Sequence, residues 1–412
     1  MTRMKESGID WIGQIPEEWG VSRLKYYFDI YAGGDIDERN TVEEYSESHP
    51  YPVLSNSLEN EGVLGYTNKY RFKKNCVTVT GRGDVGKAVY RNIKFYPVVR
   101  LLVCVPKSQV DCRFVTYWIN SAIIEKNQTA VSQLTIQMLG ELIFINVPFL
   151  EQKNIADFLD KKTAQLDKVK CLLEEQIQKL KDYRASLIYE TVTKGLDKTV
   201  PLKDSGIDWI GQVPEGWEVG KVKYFSQISA GATPDRNNSL FWNGSINWMS
   251  SGEVNQGIVK YTFETITDLA LKRTSTKLLP KGTVMLALNG QGKTKGTAAV
   301  LAIESASNQS LASFIVDNKI LNNMYLYYFF VANYYTIRGL KGEDRDGLNL
   351  QLVSNIVIPL FEIEEQQKIV DFLDNKTDRI DKLIKIKFKQ IENINKQRQT
   401  LIYDYVTGKR RI

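Results

Sequence analysis

At 412 residues, with 43% hydrophobic and 25% charged residues, the chain has an ordinary globular composition. That composition excludes disordered, collagen-like and disulfide-framework classes, and the length exceeds a single domain of roughly 100–200 residues. The formal net charge of +6 sits in the last stretch: residues 376–412 hold 11 Lys+Arg against 4 Asp+Glu, leaving 43 against 44 in residues 1–375, so the total alone says little about nucleic acid.

The first patterned segment, SGIDWIGQIPEEWGVSRLKY at 7–26, returns as SGIDWIGQVPEGWEVGKVKY at 205–224 with 14 of 20 positions identical. A fixed offset of this kind marks repeated architecture. Residues 28–145 follow, and they are electrically polarised: 35–61 carry 8 acids and one base, 69–113 carry 11 bases and two acids. Within them, 76–80 alternates as a strand, 87–90 reads as a returning strand after a Gly-rich turn, 114–124 has helical spacing, and 142–147 reads as a strand. After Pro148, Leu159, Leu166, Leu173, Leu180 and Leu187 fall seven apart, with Ile155, Val169 and Tyr183 read as interleaved members of one seam. Gly195 stops this helix. The second half repeats the order. Residues 226–356 form a divergent insert with a strand at 284–288, a helix at 321–335 and a strand at 356–359. After Pro359, Ile369, Leu373, Ile380, Leu383, Ile394 and Leu401 form a second seam with Lys387 as its odd member, and Gly408 ends the helix. ADFLDKKTAQLDK at 156–168 and VDFLDNKTDRIDK at 370–382 open the two helices. Each helix would span about 60–65 Å, too long for one small domain.

Catalytic constellations are missing. His49 is the single histidine and has no counterpart in the second half, and Cys76, Cys104, Cys112 and Cys171 lack metal-ligand spacing and read as reduced, buried thiols. GRGDVG at 81–86 matches a dinucleotide fingerprint by letter, but that fingerprint must open a helix and 87–90 reads as a strand. Gly292, Lys293 and Thr294 resemble the end of a phosphate loop, yet Ala287 stands where its first glycine belongs. No adjacent prolines occur, so the Asx-Pro-Pro-aromatic motif of adenine methyltransferases is absent. Basic residues interleaved with aromatics and Gly turns suit phosphate neutralisation and base reading. The candidate DNA-binding residues in the first insert are Lys69, Arg71, Lys73, Lys74, Arg82, Lys87 and Arg91. In the second they are Lys272, Arg273, Lys277, Gln291, Lys293 and Lys295. Trp11, Trp19, Trp209 and Trp217 lie in the constant frame and read as packing anchors.

The repeated SGIDWIGQ blocks, each followed by an insert that closes on a proline and an EQ-plus-DFLD helix, resemble the specificity subunit of type I restriction-modification systems over essentially the whole chain. The resemblance implies a mixed α/β (α+β) protein in which two target recognition domains are separated by a pair of long antiparallel coiled-coil helices with pseudo-two-fold symmetry. The expected divisions are 1–147, the helix 148–195, 196–358, and the helix with basic tail 359–412. It further implies double-stranded DNA as ligand, two modification subunits docked on the helices, and restriction subunits in the full complex. S-adenosylmethionine, ATP and Mg would be held by those partners, with no cofactor, metal or catalytic residue in this chain. A half-site separation of about one DNA turn, roughly 34–36 Å, is what such paired readers require. No window approaches the 18 apolar residues of a membrane span and the N-terminus is too polar for a secretory signal, so a cytoplasmic location is expected. Two other readings remain at this stage: a tandem scaffold or lectin-like module with exposed tryptophans, and a nucleotide-binding enzyme using the Gly loops.

Overall fold

The computed structural model describes residues 3–57, 59–124, 133–290, 292–340 and 347–412. The chain forms two compact units, one built from Met1–Glu174 with Phe388–Ile412 and the other from Glu175–Lys387. The divisions therefore fall inside the two long helices, and each unit owns part of both.

In the first unit an antiparallel sheet runs in the order Phe28–Ala32, Leu101–Pro106, Cys76–Thr80, Ala88–Arg91. Strand Cys76–Thr80 is buried along its whole length: Val77 and Val79 belong to a core with Phe114, Trp118 and Phe144, while Cys76 joins a second core with Leu54, Phe72 and Phe95. Coverage of both faces explains a strand with no charged residue. Helix Cys112–Ile124 covers the first face. A smaller sheet holds Thr41–Val42, Val63–Thr67, Tyr51–Leu54 and Tyr96–Pro97. The start of the repeated block pairs Gln14–Pro16 with the preceding Met4–Glu6 as a hairpin, and its next strand, Gly20–Arg23, pairs with Ile143–Asn146.

The second unit repeats this plan with Ser226–Ala230, Leu311–Val316, Val284–Ala287, Ala298–Leu301 and a fifth strand, Ile258–Val259. Its smaller sheet holds Glu264–Ile266, Trp242–Met249 and Ala306–Ser307. The helix expected over 321–335 is two: Asn323–Ala332 and Tyr334–Gly339, broken where the buried Asn333 turns its side-chain amide onto the Phe329 carbonyl at 2.9 Å.

The long helices run over Phe149–Lys194 and Ile363–Val406. Gly195 and Gly408 follow them at φ +70° and +74°, the left-handed conformation that ends helices, and a Cβ on Gly408 would lie 2.4 Å from Pro16. Inside the first unit, Asp167 meets Arg398 at 3.4 Å and Phe158 meets Tyr405, so the two helix segments pack antiparallel there. Inside the second, Arg184 meets Asp381 at 3.3 Å and Gln176 accepts from Lys387 at 2.6 Å, again antiparallel. The helix positions correct three expectations. Val169, Tyr183 and Leu383 are 46, 55 and 47% exposed and face away from the packed stripe. On the first helix the interleaved position falls four residues after each leucine, not three. It is held by Thr163, Lys170, Ile177, Arg184 and Thr191, of which Thr163, Ile177 and Thr191 are buried. Leu159 is fully buried, while Leu166, Leu173, Leu180 and Leu187 are half-buried. On the second helix Ile369, Leu373 and Ile380 are buried, Ile394 and Leu401 are half-buried, and Ile384 and Ile391 share their stripe.

Each unit is tied to its helix by the same polar contacts, of which the glutamines are buried and the tyrosine hydroxyls part-buried. Gln152 accepts from the Asp111 amide at 2.9 Å and donates to the Val147 carbonyl; Gln366 accepts from the Asn322 amide at 2.8 Å and donates to Phe361 and Ile320. The hydroxyl of Tyr117 donates to Asp160 at 2.8 Å and that of Tyr328 to Asp374 at 2.6 Å. Trp19 and Trp217 are buried, the first donating to Glu151 and the second stacked on Phe361 at 3.6 Å. Trp11 and Trp209 are half-buried, and their carbonyls accept from Tyr403 and Tyr189.

Candidate nucleic-acid interface

The sheet order separates the cations of the first insert into two groups. Lys69, Arg71, Lys73 and Lys74 are exposed on the segment that enters strand Cys76–Thr80, and Arg82 is exposed on the turn that leaves it. A five-residue strand at about 3.3 Å per residue puts about 16 Å between them. Arg71 stacks over the Phe72 ring at 5.5 Å. Lys94 lies 4.7 Å from the Tyr70 ring and 6.0 Å from Tyr51, an aromatic-cationic cluster whose Lys94 and Tyr51 were not among the expected residues. Lys87 is half-buried at the start of the next strand.

Arg91 is a correction. It is 7% exposed, its Nε donates to Thr78 at 3.0 Å and a terminal nitrogen donates to the Glu61 carbonyl at 3.0 Å. Burial lowers its pKa from the usual guanidinium value. This arginine closes the sheet end against the 59–62 turn and reaches no external phosphate.

The turn that carries Arg82 is held rigidly. The Gly81 amide donates to Asn56 at 2.8 Å, the Gly81 carbonyl accepts from Leu134 at 2.9 Å, and Gly83 and Gly86 have φ of +75° and +84°. Its counterpart in the second unit is braced differently: Tyr334 donates to the Lys293 carbonyl at 2.8 Å and Arg338 to the Lys295 carbonyl at 3.1 Å. Lys293 is exposed there and Lys295 half-buried. Gln291 lies outside the described residues. Lys272 and Arg273 are exposed in the last turn of helix Asp268–Arg273, where cations complement the helix dipole, and Lys277 is exposed beyond it, ahead of strand Val284–Ala287. Both units thus place one cationic group before the central strand and another on the Gly turn after it. The bracing residues Asn56, Tyr334 and Arg338 were not legible as such, because each acts on a loop distant in sequence.

Cys171 lies on the outer face of the first long helix and is exposed, against the expectation of four buried thiols. Cys76, Cys104 and Cys112 are buried, and burial pushes the first up to about 11, the third up to about 12 and Cys104 higher still. Thiolates are therefore disfavoured at neutral pH. The His49 ring meets Ser48 at 3.0 Å. Among the described residues, no group of three or more His, Cys, Asp or Glu side chains is placed to hold a metal, and no helix is long and apolar enough to cross a membrane.

Known proteins resemble this chain along nearly its full length. The family model of the type I restriction modification DNA specificity domain matches residues 16–180 and again 214–393. The type I restriction enzyme MjaVIII specificity subunit of Methanocaldococcus jannaschii is 26% identical, over 97% of this chain and 94% of that protein. The EcoR124I/EcoR124II specificity subunit of Escherichia coli is 24% identical, over 85% and 87%. Among solved structures, a chain from work on complex assembly and conformational transition of the type I R-M system superposes with a TM-score of 0.72 at 13% identity, covering 95% of this chain and 98% of that one. The HsdS subunit from Thermoanaerobacter tengcongensis gives 0.52 at 13% identity, covering 96% and 98%. At that identity the likeness is one of fold.

Proposed function

The chain belongs to the type I restriction-modification DNA specificity family, and from that premise we propose that it selects the DNA sequence on which a modification and restriction complex acts, while performing no chemistry itself. Each unit reads one half of a bipartite site in double-stranded DNA, and the long helices dock modification subunits, two by the logic of the repeat, with restriction subunits added in the full complex. S-adenosylmethionine, ATP and Mg belong to those partners, and the assembly works in the cytoplasm. The observation that carries this reading is the contrast inside each unit: the residues that tie it to its helix recur as Gln152 and Gln366 or Tyr117 and Tyr328, while the cationic segments and Gly turns differ in sequence. A constant mount with a changeable reading head is what two independent half-sites require. Lys69, Lys73, Lys74, Lys272 and Lys277 are suited to phosphates, and Arg82 and Lys293, on rigid turns, to base edges. The helices set the spacer between half-sites.

The test exchanges residues 226–356 for the corresponding insert of a relative, co-expresses the chain with its modification subunit and reads the methylated sequence. One half-site should change while the other half and the spacer stay fixed. Alteration of both half-sites at once would overturn the modular reading.

A further inference from the structure

The end of the first unit's main sheet that carries Arg82 holds a second arginine, and its backbone is strained. Arg100 has φ +74°, in the left-handed region that a long side chain seldom occupies. It is the third residue of a four-residue turn closed by the Leu101 amide on the Val98 carbonyl at 3.1 Å, a place where positive φ favours glycine or asparagine. In sequence it sits inside an apolar run, between Val98-Val99 and Leu101-Leu102. The fold nevertheless leaves it exposed.

The second unit builds the same turn without the strain. There the Leu311 amide bonds the Asn308 carbonyl at 3.3 Å, and the Leu288 amide bonds the Ser310 carbonyl at 2.8 Å as the Gly81 amide bonds that of Arg100 at 3.1 Å. Ser310 thus stands where Arg100 does, and its φ is not positive. A left-handed residue is therefore no requirement of the turn. In the first unit the surroundings impose it. Asn56 accepts from the Gly81 amide at 2.8 Å and donates to the Val99 carbonyl at 3.3 Å, so one carboxamide binds the two turns together. A Cβ on Gly81 would lie 2.4 Å from the Arg100 carbonyl oxygen, an approach that glycine alone permits. Strain held in place by its surroundings gathers at functional sites.

The pairing of Leu101 with Thr80 sets Arg100 beside Gly81 on neighbouring strand ends, with Arg82 one residue further, so the two arginine backbones lie about 5–8 Å apart. Among the described residues, neither guanidinium enters an ion pair or donates a hydrogen bond. Asp84, exposed beyond Gly83, is the carboxylate of the same turn and pairs with neither; its backbone carbonyl accepts from Thr80. An arginine fork matches the O6 and N7 acceptors of guanine in the major groove, and successive bases lie about 3.4 Å apart along one strand. Two forks at this spacing reach neighbouring base pairs.

We propose that Arg100 is a specificity-determining residue of the first unit, its guanidinium donating to a guanine edge next to the base pair that Arg82 reads. The left-handed turn is kept because it aims this side chain. This rests on the reading that each unit recognises one half-site. The second unit has Ser310 in that place, so the two halves of the DNA site are read from the same sheet end by different chemistry.

The test uses the full chain co-expressed with its modification subunit, with the methylated sequence as the readout. Arg100→Ala should relax one position of the first half-site by about tenfold or more, a position that is a G·C pair in the sequence the unaltered chain selects. The rest of that half, the second half and the spacer should stay fixed. Arg100→Gly, which suits φ +74°, should relax the same position while unfolding at the same urea concentration or a higher one. A lower midpoint would give the side chain a structural task and overturn the proposal. So would an unchanged methylated sequence in both variants, an equal loss of binding to all duplexes in a salt titration, a relaxed A·T position, or relaxation in the second half. Exchange of residues 28–145 for a relative's insert separates the two possible failures. If the exchange moves the first half-site and the Arg100 variants do not, the modular reading stands and the role of Arg100 falls; if the exchange moves neither half, both fall.

Discussion

The two units hold their helices with the same chemistry and differ where the surface begins. Gln152 and Gln366, or Tyr117 and Tyr328, make equivalent contacts in each. One contact away the likeness stops: Arg113 bridges Asp111, Asp157 and Asp160 at 2.8, 2.7 and 2.9 Å, and the second unit has Met324 at that position. Buried polar ties are costly to lose one partner at a time, and the buried Gln152 and Gln366 are kept in both halves. The partly exposed Arg113 pairs are worth less and are not repeated, although the equivalent helix pairs Asp167–Arg398 and Asp381–Arg184 are.

The most forceful way to break this comparison is through the packed stripe. Leu159→Ala in the first unit and Leu373→Ala in the second remove fully buried side chains at equivalent positions, and each should cost about 2–5 kcal/mol in urea unfolding. Leu383→Ala, on an exposed position, should cost less than about 0.5 kcal/mol. Markedly unequal losses for the two leucines would mean that the frames are not equivalent. Next in size, Gln152→Leu and Gln366→Leu strand buried backbone groups and should each cost about 2–3 kcal/mol, Gln366 the more because it holds two carbonyls as well as an amide. Equal or negligible losses in the same melts would show that relaxation or water replaces the amide.

Within the first insert, Arg91→Ala should destabilise by about 1–3 kcal/mol with no specific effect on sequence choice. Arg82→Ala should leave the melting curve unchanged and relax base selection by about 1–3 kcal/mol, whereas Lys73→Ala should weaken binding to all sequences and lower the salt slope by about one. A reversed pattern in salt-dependent binding assays would move the DNA face away from the Gly turn. The smallest effect is alkaline. Burial raises the Tyr117 hydroxyl to about 12, above its unfolded value near 10, so the neutral form stabilises the fold below pH ~10 and that contribution is lost as pH rises toward about 12. Tyr117→Phe should flatten that part of the pH-stability curve; an unchanged curve would assign the loss elsewhere.

The long helices were legible because leucines at a strict heptad, Pro148 and Pro359 before them and Gly195 and Gly408 after them are local signals. The opposing positions were not. Counting three residues instead of four after Leu166 and Leu180 selected Val169 and Tyr183, and Lys170 and Arg184, being charged, do not look like packed residues. Arg91 was misread for the opposite reason: it continues a run of exposed bases, and only the pairing of Cys76 with Arg91 brings its head group to Thr78 and Glu61.

The first unit is also discontinuous, and this gives it an order of manufacture. Ile12, Ile15 and Trp19 share a core with Ile402 and Val406, which are synthesised only after all of Glu175–Lys387. At 5–20 residues per second the wait is roughly 10–40 s, by the end of which the second unit's own segment is complete while the first unit still shows water the apolar side chains that the second long helix covers. Of the two units, the one begun first on the ribosome is the one finished second.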